Sequence, residues 1–336
     1  MQRSLTRALI ALLSAAAMAD GAAAAEPFYK DKTITLVIGF SPGGGYDSYA
    51  RAVARHIPPH ITGHPDVIVQ NMPGAGSLKA VRALDATLPT DGTTMLTFNP
   101  GLITQSVVDP ARVGVDFNDY RWIGIITPDF RVCYSYGDKG VRSWEDLAKR
   151  PKFVLGATGK GSGSYINGAI LREVFHLPVQ QIIGFPGSAD QRLAIQRGEL
   201  DGDCGSFSSI PIDWLKQGLA HPFVRFTKEK QEGMPDSAVF IEDKAQTDDQ
   251  RKLLSALNAE DEVGRSIIVS AKTPADRVEE LRTAFLATMK DDAFQTEMRK
   301  LNLPVNPVPG ADAQRIVERM RDVSDKTKAE ARKIYE

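Results

Sequence analysis

Short apolar runs, each followed by a glycine- or proline-rich turn and then a helical stripe, recur along the chain from about residue 33. Ile34, Leu36, Val37 and Ile38 form a run too short for a helical face, which predicts a buried strand. Pro42 and Gly43-Gly44-Gly45 stop it. Asp47 and Ser48 stand where a helix begins, and Ala50, Val53, Ala54 and Ile57 give that helix an apolar face. The same unit returns at 67–70, which runs into 71–76 and a helix carrying Leu78, Val81 and Leu84. It returns again at 95–98, which ends at Asn99-Pro100-Gly101. Strand–turn–helix units in series predict a mostly parallel sheet with helices on both faces. In such sheets ligands sit beyond the carboxyl ends of the strands.

A second region has the same grammar. Strands are expected at 123–127, 131–136 and 153–157, with Ser143 capping a helix between the last two. The stretch 158–164 is a second glycine-rich turn, followed by a helix with Ile166, Ile170, Leu171, Val174 and Phe175. A further strand at 181–185 leads through Pro186-Gly187-Ser188 into a helix marked by Leu193 and Ile195, and 198–207 reads as a turn and a strand. From Asp248 onward the spacing is helical, with Leu253, Leu254 and Leu257, then Val278, Leu281, Phe285, Leu286 and Met289. Pro304, Pro307 and Pro309 precede a last charged helix whose alternating signs predict a solvated face. Each glycine-rich turn opens a helix, and the positive end of a helix suits a phosphate or carboxylate. The plainer reading of each is a tight turn with no ligand.

The front of the chain changes the picture of where the protein works. Arg3 and Arg7, an apolar stretch at 8–18 and Ala23-Ala24-Ala25 predict an export signal cleaved near Ala25. Its apolar core is too short to span a bilayer, and no cysteine follows it to carry a lipid. A soluble periplasmic protein is expected. The net charge of −1 argues against a nucleic-acid binder. The remaining length exceeds what one core organises, so two domains are expected. Cys133 and Cys204 are the two cysteines. An oxidising compartment permits a disulfide between them, and two reduced, buried thiols are the alternative. Neither has a CxxC neighbour or a nearby histidine, so no metal site is expected from them.

Other chemistries fail on detail. Residues 43–48 lack the final glycine of a dinucleotide fingerprint, and Gly159-Lys160-Gly161 puts glycine where a P-loop needs a hydroxyl. Ser162 and Ser164 have the wrong spacing for a nucleophile elbow. His56, His60 and His64 would share a helix face, but Pro58-Pro59 breaks that helix and leaves them as surface-loop residues. Among these residues there is no paired-acid or nucleophile–base constellation. A binding protein without a cofactor is favoured over an enzyme.

The motifs at 40–47, 69–76 and 90–96 resemble the F-x-x-G-G-x-x-D, N-x-P-G-A-G and D-G-x-x-x-L patterns of the tripartite tricarboxylate transporter solute receptors, the Bug family. Residues 156–164, 185–187, 198–201 and 271–275 match further landmarks in order. The resemblance implies an α/β, two-domain fold like the type II periplasmic binding proteins, closing on a small organic anion. It points to Ser41, Gly43, Gly44, Tyr46 and Asp47 on one side of the cleft, beside Phe40. Thr158, Gly159, Gly161, Ser162 and Ser164 are implied on the other. Asn99, at the turn ending the strand 95–98, Phe185 and Gly187, within a matching landmark, and Asn167, which replaces a histidine common in the family, are expected to contact the ligand as well. Lys160 is unusual there, and is expected to meet a second carboxylate or to point into solvent.

Domain one is expected over 26–125 plus 226–336 and domain two over 126–225, with crossover strands at 123–127 and 223–227. Two continuous domains in series are the runner-up. The implied function is capture of a mono- or dicarboxylate, as a monomer, for membrane transporter subunits. A receptor feeding a signalling partner is the alternative.

Overall fold

The computed structural model describes residues 26–336, so the expected export signal lies outside the described residues. The first lobe holds β1 (Thr33–Ile38), β2 (Asp66–Asn71), β3 (Thr94–Thr97), β4 (Arg121–Ile125), β11 (Ser266–Val269) and β12 (Val308–Pro309). They form one sheet in the order β12-β4-β11-β3-β1-β2. β1 pairs in parallel with both β2 and β3, and β11 runs antiparallel to β3 and β4. The unbroken apolar run in β1 has a simple cause. Leu36 and Ile38 point into a core shared with the helices Gly45–His56 and Ala275–Lys290. Val37 points to the opposite core, under the helices Leu78–Ala86 and Gly310–Arg319. Successive strand residues face opposite ways, so a strand buried on both faces reads as continuous.

The second lobe holds β5 (Arg131–Tyr136), β6 (Phe153–Ala157), β7 (Val179–Ile183), β8 (Gly202–Ser206), β9 (Ala220–Arg225) and β10 (Val239–Phe240), in the order β10-β9-β5-β8-β6-β7. β6 pairs in parallel with β7 and β8, while β5 runs antiparallel to β8 and β9. Cys133 and Cys204 stand directly opposite in the β5–β8 register and are joined by a disulfide. Both are fully buried.

The chain passes from the first sheet to the second at 126–130, between β4 and β5, and its return lies beyond 223–227. β9 stays in the second sheet, β10 joins it, and the helix Asp248–Asn258 buries Leu253, Leu254 and Leu257 in that lobe's core. The return occurs at 259–265. The apolar side of a helix fixes that it is buried, not which sheet buries it. A third change follows the helix Gly310–Arg319. The last helix, Asp325–Tyr335, packs Ala331, Ile334 and Tyr335 on the second lobe, although most of its other positions are charged. Arg332 anchors it from there by donating to the Val108 carbonyl of the opposite lobe at 2.7 Å.

Candidate functional site

Between the lobes lies a narrow cavity of about 50 Å³. Phe40, Gly44, Gly45, Tyr46 and Asn99 line it from the first lobe. Arg131, Thr158, Ser162, Gly163, Ser164, Ser188, Gln191, Asp203, Gly205, Ser206 and Ser209 line it from the second, and Arg265 from the returning chain. The helices Gly45–His56, Gly163–Ala169 and Ser188–Gln196 all begin on its wall. The N–H groups of a helix's first turn have no acceptor within the helix. No side chain caps the helices starting at Gly45 and Ser188. Their positive ends are therefore directed at the cavity.

Two buried guanidiniums flank these helix ends. Arg265, 1% exposed, lies over the Tyr46 ring at 4.0 Å, and its Nη2 donates to Ser206 Oγ at 2.5 Å. Its Nη1 is buried without a partner. Arg131 is held by Asp129 at 3.2 Å and Asp261 at 2.8 Å, with Glu260 at 4.0 Å. Burial raises the Asp129 carboxyl, but Arg265 and Arg131 outweigh it and hold the group below its usual range. Burial pushes Glu260 up to about 7 and Asp203 up to about 6, against partial relief from Arg131 and Arg192 respectively as leading charges.

The Glu260 shift has a testable consequence. Its folded value lies above the ordinary 4.5, so between those two pH values the folded chain holds more of the proton than the unfolded one. That group's contribution to stability then falls as pH rises from about 4.5 to 7. Glu260→Gln keeps the shape without the charge. It is expected to be more stable than wild type at pH 8 and to gain nothing at pH 4, measured by urea unfolding. A variant less stable than wild type at pH 8 would contradict this.

Of the residues expected from sequence, Phe40, Gly44, Tyr46, Asn99, Thr158, Ser162 and Ser164 meet at the cavity. Phe40 and Tyr46 stack at 4.7 Å. Ser162 caps its helix by accepting from Tyr165 N, and its Oγ lies 3.0 Å from Ser164 Oγ. Others shape the cleft without lining that cavity. Asp47 accepts from Gly43 N, Arg51 Nε and Asn71 Nδ2, each at 2.9 Å, and so ties the first turn to β2. Burial raises its carboxyl, and these donors together hold it low.

Several polar contacts latch the lobes together. Ser41 Oγ donates to Asp190 at 2.6 Å, with Gly187 packed beside it. Arg192 donates to the Gly43 carbonyl at 2.8 Å, and Asn99 Nδ2 to the Gly161 carbonyl at 2.6 Å. Gly159 lies against Gly76, where a Cβ would come within 2.7 Å of backbone nitrogen. Gly159, Lys160, Gly161 and Phe185 line a neighbouring cavity of about 480 Å³.

Lys160 does not line the narrow cavity. Its Nζ donates to the main-chain oxygen of Glu336, because the loop carries it toward the last helix. Asn167 is buried behind the loop with its Nδ2 unpartnered. The histidines are not simply loop residues: His56 Nε2 lies 2.8 Å from Glu297 and His60 Nε2 lies 3.4 Å from Asp291.

Sequence reading missed Arg131, Arg265, Gln191 and Asp203, as well as Ser188, Ser206 and Ser209. A faint signal existed for two of them. Arg131 alternates with Cys133 and Ser135 on one face of a strand, and Arg265 adjoins the buried run of β11.

Against known structures the chain matches the periplasmic binding protein BugD with a TM-score of 0.74 and 20% identity, over 91% of this chain and 98% of that one. It matches MatC from Rhodopseudomonas palustris, solved with bound malate, with a TM-score of 0.70 and 18% identity, over 91% and 99%. The fold is that of a periplasmic binding protein. An Agrobacterium vitis protein, the UPF0065 protein in the TAR-I ttuE-ttuC' intergenic region, is 24% identical over 233 residues. That alignment covers 68% of this chain and 66% of the relative, so the chain spans about two thirds of its length. No protein-family model matches the chain.

Proposed function

We propose that this protein is a periplasmic receptor that captures a small organic carboxylate between its lobes and delivers it to a tripartite tricarboxylate-type membrane transporter. The observation that carries the reading is the narrow cavity where uncapped helix starts at Gly45 and Ser188 meet the unpartnered Nη1 of Arg265. Preformed N–H groups and a buried guanidinium favour an anion, and a planar guanidinium fits a carboxylate edge. The binding-protein fold and the malate held by MatC support the same class of ligand. The lobe-bridging bonds of Ser41, Asn99 and Arg192 are those of a closed cleft, so binding and release require the lobes to part.

Binding stabilises the folded chain by mass action, by about 2.7 kcal/mol at a ligand concentration of roughly 100 times Kd. The expected result is a melting shift of several degrees for at least one member of a panel of mono-, di- and tricarboxylates, using protein first stripped of carried-over ligand. A flat response across the panel would overturn the carboxylate reading.

A further inference from the structure

The same cavity holds a second unmet group, of opposite charge to Arg265. Asp203 lines it from β8 at 4% exposure, and its Oδ1 is buried with no hydrogen-bond partner. Its other oxygen lies over Gly205, close enough that a Cβ there would sit 2.8 Å away. The cavity wall is thus bare beside the carboxylate. No cation of the described residues is paired with it. Arg192 is committed to the Gly43 carbonyl, Ser188 and the Ser209 carbonyl. Arg131 is committed to Asp129 and Asp261.

A buried carboxylate without a partner is costly, and in natural proteins such charges are paired. Here the missing partner of Asp203 is a cation, and the missing partner of Arg265 Nη1 is an acceptor. One small molecule carrying both would satisfy the two groups at once. A plain dicarboxylate would set a second negative charge against Asp203.

Building on the carboxylate reading above, we propose that the ligand is a small amino acid, its carboxylate on Arg265 and the Gly45 helix start, its ammonium on Asp203. Asp203 then decides specificity between amino acids and otherwise identical acids.

The test uses stripped full-length protein and matched probes that differ only in the amino group. Aspartate is compared with succinate, alanine with propionate, and the remaining amino acids with their deamino counterparts, by calorimetric titration. The wild type is expected to bind at least one amino acid at least about tenfold more tightly than its counterpart, the size expected of one charge-assisted contact. Asp203→Asn is expected to erase that ratio while binding the deamino acid more tightly, since the repulsion is gone.

Deamino acids binding as well as, or better than, every amino acid would overturn the proposal and leave the carboxylate reading standing. An unchanged ratio in Asp203→Asn would also overturn it. Failure of every probe, with or without the amino group, would overturn both. If the variant does not fold, the wild-type ratios alone decide.

Discussion

Replacing Arg131 with methionine is expected to destabilise the protein by about 3–5 kcal/mol near pH 8, the cost of breaking a buried ion pair by removing one partner. The side chain is 4% exposed and contacts Asp129 at 3.2 Å and Asp261 at 2.8 Å, with Glu260 at 4.0 Å. These acids come from two of the three segments that connect the lobes, 126–130 and 259–265. Methionine fills much of the volume but leaves the carboxylates with less positive charge than they face now. Asp129 keeps Arg265 at 3.6 Å and the Ser206 hydroxyl at 2.8 Å, whereas Asp261 loses its cation. The loss should shrink in acid, where the stranded carboxyls take up protons and become neutral. Urea unfolding at pH 8 and pH 5 measures both effects. A variant within 1 kcal/mol of wild type at pH 8 would show that the cluster does not hold the crossing together. The effect should not add to that of Glu260→Gln, because the two residues share one network.

Loss of the Cys133–Cys204 disulfide is the other large effect. It closes a segment of sequence separation 71 between neighbouring strands of the second lobe. In the chain-entropy account, a loop of that length stabilises the fold by about 4 kcal/mol. Both sulfurs are fully buried within the lobe's main core, so reductant alone should not reach them. The double variant Cys133→Ala, Cys204→Ala is expected to lose most of that stability and to melt the second lobe first. Alkylation in denaturant, without reductant, should leave the mass of freshly purified protein unchanged. Two alkylated thiols would contradict the bridge. A double variant as stable as wild type would show that the link does not constrain the unfolded chain.

What could be read from the sequence follows from what each signal measures. The apolar run of β1 and the turn at 41–45 are local features, and local sterics placed both within a residue or two. The same holds for β2, β3 and the Ser162-capped helix. The position of the second crossing is not legible, because Leu253, Leu254 and Leu257 reveal a buried helix face without naming the sheet it covers. Half of the cavity was hidden for a related reason. Arg131 and Asp203 lie on strands β5 and β8, where a charged residue in a short alternating stretch looks like a solvent-facing position. For Lys160 the residues around it left two readings open, a second carboxylate or solvent, because a local turn does not reveal that its Nζ reaches the main-chain oxygen of Glu336.

Calorimetric titration of two proteins side by side shows whether one organic acid is held in the narrow cavity between the lobes. One is stripped wild type, titrated with whichever acid gives the largest melting shift. The other is Gly45→Val, in which the new Cβ would meet Ser209 Oγ and approach Arg265 Nη2 at 3.0 Å. Ser209 Oγ is the end of a small side chain that can rotate away, and Arg265 Nη2 need shift only by a few tenths of an ångström, so the lobes should still fold while the cavity is filled. One site per wild-type chain is expected, with at least about a tenfold loss of affinity in the variant, on the order of 1.4 kcal/mol or more. No heat in the wild type with any organic acid, or undiminished affinity in Gly45→Val, would contradict it.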